Sequence, residues 1–293
     1  MLQIEEILRK VRRLEIKSRK AVTEKLSGAY HSTFKGRGIE FLDVRPYQPG
    51  DDFRSIDWNV TSRTGSLHIK QFFEEREQTI IFAVDVSASM RFGTKDRLKS
   101  EAVAEAVALL AFAAAMNNDR VGLILFTEDV ELYLPPKKKR EHILRLIREL
   151  LYFTPRKKET DYEKTLAAIA RIFPRKASFF FCSDFMKTPS FNGFRILSKK
   201  HDLTLISVED PAETRLPDSG WIECEDSETG EWGFVDTSSK AVRRKFKVFT
   251  EAEGKHFVNQ TRKSNIPLIE LTTDTDVLPL LERYFAERSK RRK

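Results

Sequence analysis

From Thr79 onward, short apolar segments alternate with segments of helical periodicity. TIIFAVDVS, RVGLILF, ASFFFCSD, DLTLISV and IPLIELTT have the length and composition of buried strands. Amphipathic helical patterns lie between them, and the second half of residues 96–116 is apolar on every side, which predicts a central buried helix. Strands separated by helices predict a doubly wound, mostly parallel α/β sheet with helices on both faces.

The residues before Thr79 have a different pattern. Residues 1–26 place apolar side chains at helical spacing among many basic ones, so we expect a helix with a solvated basic face. Residues 27–78 carry turn signals such as Pro49-Gly50 between short alternating runs, which favours strands and turns. The predicted organisation is an N-terminal helix and β-rich segment at 1–78, an α/β domain at 79–289 with an inserted β-hairpin at about 216–238, and a basic tail at 290–293.

Composition excludes several classes of protein. Of the 293 residues, 40% are hydrophobic and 33% charged, a mixture that buries a core, so general disorder is excluded. Two cysteines cannot form a disulfide framework, and the five histidines show no ligand-spaced pair. No secretory signal is visible, and the most apolar stretch, residues 106–116, is shorter than the ~20 residues of a spanning helix. We therefore expect a cytoplasmic protein.

Three oxygen-bearing side chains follow the first predicted central strand. Asp85, Ser87 and Ser89 alternate along the chain where this strand ends. Ligands of open α/β sheets bind beyond the carboxyl ends of the strands, and alternate residues of a strand-end loop converge on one point. One carboxylate and two hydroxyls are hard oxygen ligands suited to Mg²⁺ or Mn²⁺.

Two further loops supply similar groups. The strand ASFFFCSD ends at Asp184, and Thr160 lies in the loop before the helix at 162. Together with the first loop they form a candidate metal site of two carboxylates and three hydroxyls. Such a site carries little charge for a divalent cation, so it leaves a coordination position to water or to an acidic residue of a partner. A metal that bridges to another protein's Asp or Glu is the function this set predicts.

Helix capping is the structural alternative for each of these residues. Ser87 and Ser89 would cap the helix that follows, Asp161 would cap the next one, and Asp184 would close a turn. The choice between capping and ligation depends on whether the three loops meet.

The candidate ligands resemble the metal-ion-dependent adhesion site of von Willebrand factor A domains. The N-terminal residues are similar to the bacterial DUF58 (domain of unknown function 58) family, and the similarity extends from about Gly28 to the last helix. The motifs that carry it are Gly36-Arg37-Gly38-Ile39-Glu40-Phe41, Arg45-Pro46-Tyr47, Pro49-Gly50-Asp51-Asp52, Arg54, Ile56-Asp57-Trp58, Arg63-Thr64-Gly65 and Glu75-Arg76-Glu77.

This resemblance implies a von Willebrand A-like domain in a cytosolic bacterial protein. Its relatives are typically encoded beside a MoxR-type AAA+ ATPase and are thought to act with it in protein maturation or complex assembly. The implied cofactor is Mg²⁺ or Mn²⁺, and the implied partners are the ATPase and a client protein. Where the family usually has glycines before the threonine, this chain has Lys158 and Glu159, and Glu159 adds negative charge near the cation.

Charged and aromatic residues are concentrated in the N-terminal motifs. One interpretation is a salt-bridged cap, in which Arg45, Arg54 and Arg63 pair with Asp51, Asp52 and Asp57 against the sheet. The other is a recognition surface for the ATPase or its client, with Arg and Trp anchors. The candidate partner-binding residues are Arg45, Asp52, Arg54, Asp57, Trp58 and Arg63.

Two other functions compete with that of a non-enzymatic binding module. A metal-dependent phosphohydrolase would use Asp85 as nucleophile, but its usual second Asp is here Ser87, which is poorly suited to proton transfer. A nucleic-acid binder would account for the net charge of +8, but the basic residues are spread out and no reader motif is present. The same basic excess leaves a peripheral membrane contact open.

Overall fold

Strands in the described residues form one six-stranded sheet and two separate two-stranded sheets. The structure is a computed structural model that describes residues 2–34, 40–73, 77–95 and 97–291. The strands are β1 (Glu40–Pro46), β2 (His68–Phe73), β3 (Thr79–Asp85), β4 (Arg120–Phe126), β5 (Val130–Lys137), β6 (Ser178–Ser183), β7 (Asp202–Glu209), β8 (Trp221–Glu225), β9 (Trp232–Asp236) and β10 (Leu268–Thr272).

Helices flank the sheet and lead into it. They are α1 (Leu2–Ala21), α2 (Ser27–Phe34), α3 (Trp58–Thr64), α4 (Lys99–Met116), α5 (Arg140–Tyr152), α6 (Tyr162–Ile172), α7 (Phe191–Lys200), α8 (Pro211–Thr214), α9 (Lys240–Lys263) and α10 (Val277–Arg291). A π-helical turn, Val22–Leu26, joins α1 to α2, and two 3₁₀ turns lie at Phe53–Ser55 and Ala88–Arg91. In the part of the chain described, no helix is both long and apolar enough to cross a membrane.

The central sheet has the order β10-β7-β6-β3-β4-β5. Every neighbouring pair is parallel except β4 and β5, which are joined by a short turn and run antiparallel at one edge. The class predicted from the alternation of strands and helices, a mostly parallel α/β sheet, is confirmed.

Side chains of the inner strands alternate between two hydrophobic clusters. Phe82 and Val84 of β3 join the cluster under α4, α5 and α10, whereas Ile81 and Ala83 join the cluster under α6, α7 and α9. Because both faces are covered, these strands are continuously apolar rather than alternating. Helix α4 is buried along nearly its whole length, as its apolar sequence predicts.

The N-terminal helices belong to the same hydrophobic cluster as the sheet. Val22, Leu26, Tyr30 and Phe34 are buried with residues of α4 and α10, and the rings of Tyr30 and Phe285 meet edge to face at 5.8 Å. Helix α2 therefore forms through tertiary contacts, in a segment whose Gly, Ser and Thr residues have weak helix propensity.

The prediction of strands and turns throughout 27–78 was wrong at two places, α2 and α3. Helix α3 begins at the N-cap Asp57, whose carboxylate accepts hydrogen bonds from two backbone amides, and it ends at Gly65 with φ 74°. These caps are the signals of a short helix, although the same residue types occur in turns. Strand β1 precedes α3 and strand β2 follows it in the sequence, and the two strands pair directly in antiparallel orientation.

One predicted helix face was also wrong. The sequence pattern of residues 239–262 predicts a helix with Val242, Phe246, Phe249 and Phe257 on one side, but Phe257 is buried while Phe249 is 64% exposed. At about 100° per residue, Phe249 lies about 80° around the helix from Phe257, whereas Phe246 lies within about 20° of it. Only the narrower stripe faces the core.

Candidate functional site

The candidate ligands lie at the carboxyl edge of the parallel strands. β3 and β6 are neighbours in register, with Val84 beside Cys182, so Asp85 and Ser183 are adjacent at the ends of their strands. The loop before α6 reaches the same edge, because the Lys158 carbonyl accepts a hydrogen bond of 3.0 Å from the Ala88 amide. The three predicted loops therefore meet.

The Asp85 carboxylate is the centre of the site. It is 1% exposed and accepts hydrogen bonds from the Ser87 backbone amide at 2.8 Å and from the Ser183 hydroxyl at 2.7 Å. The Thr160 hydroxyl lies 3.2 and 3.0 Å from its two oxygens, Oδ1 and Oδ2. Thr160, 75 residues further along the chain, is thus in direct contact with the first predicted ligand.

Burial raises the pKa of Asp85 to about 6, and the nearby charge of Asp184 acts in the same direction. Hydrogen bonds from Ser87 and Ser183 oppose this increase, because they stabilise the ionised form. A carboxylate kept out of water beside a second negative charge is stabilised by a cation placed against it.

Ser87 and Ser89 direct their hydroxyls toward each other, with 3.2 Å between the two Oγ atoms. Ser87 precedes the 3₁₀ turn at Ala88–Arg91, but its side chain makes no capping hydrogen bond. The residue before α4 is Leu98 rather than either serine. The capping alternative therefore fails for both serines, whose hydroxyls stay at the strand edge.

Capping is the role of Asp161, which accepts a hydrogen bond of 3.0 Å from the Lys164 amide at the start of α6. The loop that precedes it is held by the Asp161 amide, which donates to the Thr127 carbonyl at 3.2 Å. The charge of Glu159 is partly balanced by Lys187 at 3.7 Å. A loop without glycines thus places the Thr160 hydroxyl against Asp85.

Asp184 reaches the same edge with a different partner. Its Oδ2 accepts a hydrogen bond of 2.7 Å from the ammonium of Lys99, which also donates to Glu213 at 2.5 Å. Lys99 is fully buried. Burial lowers the pKa of this lysine, but the two carboxylates outweigh burial and raise its pKa. Asp184 acts on Asp85 through its charge, while its hydrogen bonds go to Lys99 and to the Met186 amide.

Four residues of this neighbourhood were missed by sequence reasoning. Ser183 holds Asp85, and Tyr162 lies 2.9 Å from the Ser183 hydroxyl. Lys99 and Glu213 surround Asp184. Ser183 would have been found from the pairing of β3 with β6, which no local pattern reveals. Lys99 gave a weak signal, as a lysine at the start of a helix whose second half is entirely apolar.

The donors fit a hard divalent cation. Every candidate ligand offers oxygen, and Asp85 lies within hydrogen-bond distance of Thr160. No group of three or more His, Cys, Asp or Glu side chains suitable for a metal occurs within the described ranges. A metal at this edge therefore depends on hydroxyl oxygens and keeps water or takes a ligand from elsewhere.

The N-terminal motifs form the block at residues 40–73. Arg45 donates two hydrogen bonds of 2.7 Å to Asp51. Asp52 accepts from the Arg54 amide at 2.9 Å and caps the 3₁₀ turn at Phe53–Ser55. This segment is thus held by short-range hydrogen bonds and one bidentate ion pair.

The wider salt-bridged cap is not what the structure shows. Arg54 lies 5.9 Å from the centre of the Phe53 ring, and Arg63 donates to the Asn59 carbonyl at 3.4 Å. Asp57 caps α3 and has Lys70 at 4.0 Å. The reason is local, since Asp52 and Asp57 bind backbone amides that immediately follow them. Trp58 is 67% exposed and Phe53 69% exposed, so neither packs as a cap against the sheet.

Some predicted motifs lie outside the described residues. They are Gly36-Arg37-Gly38-Ile39, Glu75-Arg76 and the last two residues of the basic tail at 290–293. Cys182 is fully buried in β6, and burial raises the pKa of its thiol. A neutral buried thiol is consistent with a small core residue.

Comparisons with known proteins agree with the sequence resemblance. A family model described as "Protein of unknown function DUF58" matches residues 43–256. The uncharacterized proteins Rv1480 of Mycobacterium tuberculosis and Mb1516 of Mycobacterium bovis are each 29% identical over 274 residues, which is 91% of this chain and 86% of theirs.

Solved structures to which this chain is similar include the conserved hypothetical protein BatB from Bacteroides thetaiotaomicron. It is 14% identical, covers 73% of this chain and 99% of its own, and has a TM-score of 0.48. The SpRpn10 VWA domain is 11% identical, covers 70% of this chain and 94% of its own, and has a TM-score of 0.41.

Proposed function

This chain belongs to the DUF58 family, and on that premise we propose that it is a non-enzymatic, metal-dependent protein-interaction module. The ion is Mg²⁺ or Mn²⁺, and the partner supplies an acidic side chain. We further propose that the module works with a MoxR-type AAA+ ATPase in the maturation or assembly of a client protein. The proposed ligands are Asp85, Ser87, Ser89, Thr160 and Asp184.

One observation carries the proposal. The Asp85 carboxylate, the Ser87–Ser89 hydroxyl pair and the Thr160 hydroxyl meet at one strand edge, although they come from loops far apart in sequence. Independent helix caps would not need to meet. Because hydroxyls provide most of the oxygens, a cation there remains undersaturated and attracts a further carboxylate.

The residues around Asp85 have supporting roles. Ser183 and the Ser87 amide fix the orientation of its carboxylate. Lys99 balances the charge of Asp184, so the site is not so negative that it repels the carboxylate of a partner. When bound, the metal would supply the positive charge that attracts that carboxylate. Because Lys99 already pairs with Asp184, a direct bond from Asp184 to the metal would be the weakest of the five proposed bonds. Asp184 can instead bind the metal through an intervening water.

The phosphohydrolase alternative gains no support from this geometry. Asp85 is 1% exposed, and hydroxyls and a backbone amide surround its oxygens. A nucleophilic carboxylate needs access to the phosphorus atom and a proton donor for the leaving group. Ser87 stands where that donor would be, so binding rather than turnover is the proposed activity.

A chelator-controlled capture from the native host tests this proposal. The intact chain is immobilised with Mg²⁺ or with EDTA, and the captured proteins are identified by mass spectrometry. We expect a MoxR-type ATPase or a client to be captured only with Mg²⁺, and Asp85→Ala to abolish that capture. Asp129→Ala is the matched control, because Asp129 is an exposed carboxylate on the β4–β5 turn. Capture by Asp85→Ala that still depends fully on Mg²⁺ would overturn the site assignment.

A further inference from the structure

The hairpin formed by β8 and β9 exposes a row of aromatic side chains. Its register pairs Trp221 with Asp236, Glu223 with Phe234 and Glu225 with Trp232. Because alternate residues of a strand share a face, all six of these side chains lie on the same face. Trp221, Trp232 and Phe234 are 72%, 64% and 69% exposed. We call this surface the aromatic face.

The opposite face of the hairpin is turned toward the protein. Ile222, Cys224 and Val235 are half-buried. The Thr237 amide donates to the Gly220 carbonyl at 2.7 Å at the base of the hairpin, and Glu228 at its tip meets Lys187 at 2.6 Å. The hairpin is therefore held at both ends with its opposite face toward the protein. The aromatic face is exposed to solvent for this reason.

The first half of α9 carries a positively charged surface. Lys240, Arg244 and Lys245, together with Ala241 and Val248, line an open hollow of about 470 Å³. Val248 is 60% exposed. We call this surface the basic hollow.

The two surfaces are complementary in charge and in polarity. The aromatic face carries Glu223, Glu225 and Asp236 beside its rings, and the basic hollow carries three cations around an apolar floor. Within the described ranges, neither glutamate has a cation in salt-bridge contact, and none of the three cations has a carboxylate. Each set is therefore available for a partner that carries the other.

We propose that the chain forms a two-fold dimer in which the aromatic face of each copy packs into the basic hollow of the other. The aromatic face requires a partner surface that is apolar and cationic. The basic hollow of a second copy of the chain is such a surface. A two-fold axis makes the contact reciprocal, so both surfaces of both copies are used and the assembly closes.

The aromatic face alone supplies about half of the area that a standard interface takes from each partner. An aromatic side chain buries about 150–250 Å², so three that are about two-thirds exposed offer on the order of 400 Å² per copy. A standard interface takes roughly 800 Å² from each partner. Each copy contributes its aromatic face and its basic hollow, so the proposed dimer rests on two reciprocal contacts of modest area.

An anionic membrane is the competing occupant, because tryptophan is common at membrane interfaces. The carboxylates on the aromatic face would be repelled by an anionic surface. They are attracted by the basic hollow, and this difference favours the second copy.

Sedimentation velocity of the intact chain over a range of concentrations tests the dimer. We expect a monomer–dimer equilibrium that Trp232→Ala with Phe234→Ala weakens on the order of tenfold or more, as anchor aromatics do. Ile196→Ala is the matched control, because Ile196 is 68% exposed on α7 and lines a different hollow together with Leu166 and Lys200, and it should leave the equilibrium unchanged. Melting curves verify that each variant is folded.

A charge exchange then tests which surfaces meet. Glu223→Lys with Glu225→Lys gives one variant, and Lys240→Glu with Arg244→Glu gives the other. Each alone should dimerise on the order of tenfold more weakly than the unmodified chain. Mixed together they should form a heterodimer, because both reciprocal contacts regain opposite charges.

Three kinds of result would overturn the proposal. The first is an unmodified chain that stays monomeric at every concentration reached. The second is a dimer that ignores the aromatic and charge variants, or a mixture that forms no heterodimer. The third is flotation of the monomer with phosphatidylcholine–phosphatidylglycerol vesicles that requires Trp232 and Phe234, which would assign the aromatic face to a membrane.

Discussion

The central-sheet region and the block at residues 40–73 are built in opposite ways. The inner strands of the sheet bury apolar side chains on both faces, and the N-terminal helices add to one of these clusters. In the block, Ile69 is buried, while Phe53, Trp58 and Leu67 are exposed. The sheet region is therefore stabilised by its own core, and the block keeps its shape through the pairing of β1 with β2, caps and an ion pair.

This difference separates two kinds of polar chemistry within one chain. In the sheet region, polar residues at the strand edge are buried and hydrogen-bonded to one another, as Asp85 and Ser183 are. In the block, charged residues bind the neighbouring backbone and leave Trp58 in solvent. Buried polar groups of the first kind suit an ion, and exposed aromatic groups of the second kind suit a protein partner.

The largest stability effect is expected at Lys99. Lys99→Met leaves the carboxylates of Asp184 and Glu213 without the cation that bridges them, and loss of one partner of a buried ion pair costs about 3–5 kcal/mol. Urea unfolding measures the change. Lys95→Met is the control, since Lys95 is 61% exposed and lies 3.6 Å from Asp274, and it should cost about 1 kcal/mol or less. Equal losses in the two variants would contradict the role given to Lys99.

A leucine pair compares the two regions directly. Leu26 is fully buried and Leu67 is 46% exposed. Leu26→Ala should lower the free energy of unfolding by about 2–5 kcal/mol because it leaves a cavity, whereas Leu67→Ala should stay within about 0.5 kcal/mol. If Leu67→Ala cost as much as Leu26→Ala, the block would have a core of its own.

A smaller effect concerns pH and the attachment of α2. Asp119 accepts hydrogen bonds of 2.8 Å from the Tyr30 hydroxyl and the Gln78 amide, and burial raises its pKa from 3.8 to about 6. Between these values the folded state holds a proton that the unfolded chain has lost. Stability from this group is therefore full below the lower pKa and falls as pH rises through the higher one.

Urea unfolding of the unmodified chain and of Asp119→Asn between these pH values measures that effect. The stability of the unmodified chain relative to the variant should fall with rising pH by on the order of 1 kcal/mol, after allowance for solvent screening. A constant difference would show that Asp119 titrates as it does in the unfolded chain.

The smallest stability effect is expected at Trp58, which is 67% exposed. Trp58→Ala should change the free energy of unfolding by no more than about 0.5 kcal/mol, while it reduces capture of a partner if the block is a docking surface. Thermal melting and the chelator-controlled capture measure the two quantities. A large loss of melting temperature would instead assign Trp58 to a structural cap.

The sheet could be predicted from the sequence because its signal is local. Each inner strand is a short apolar run in the sequence. The limits of these runs lie close to the limits of the strands in the structure, and β3, for example, ends at Asp85. Helix α2 could not be predicted, because its helicity depends on contacts of Tyr30 and Phe34 with Phe285, which are distant in sequence.

The candidate site divides in the same way. Asp85, Ser87 and Ser89 were predicted from their alternation at a strand end, Asp184 from the end of another strand, and Thr160 from the loop before α6. Ser183 and Lys99 were not found, because their importance depends on which strands are neighbours and on what lies behind the loops. The pattern of residue types locates the carboxyl edge of the strands. The residues that orient Asp85 and balance the charge of Asp184 are brought there by the tertiary structure.

The direct test of the central claim is a titration of the purified chain with Mn²⁺, in which electron paramagnetic resonance measures the concentration of free Mn²⁺. Mg²⁺ is then added as a competitor. The account predicts one divalent site per chain that Mg²⁺ displaces. It also predicts that Asp85→Ala weakens this site by at least about tenfold, while Asp129→Ala leaves it intact. Binding of Mn²⁺ by Asp85→Ala with unchanged affinity, or by none of the three proteins, would contradict the claim that this strand edge holds a metal ion.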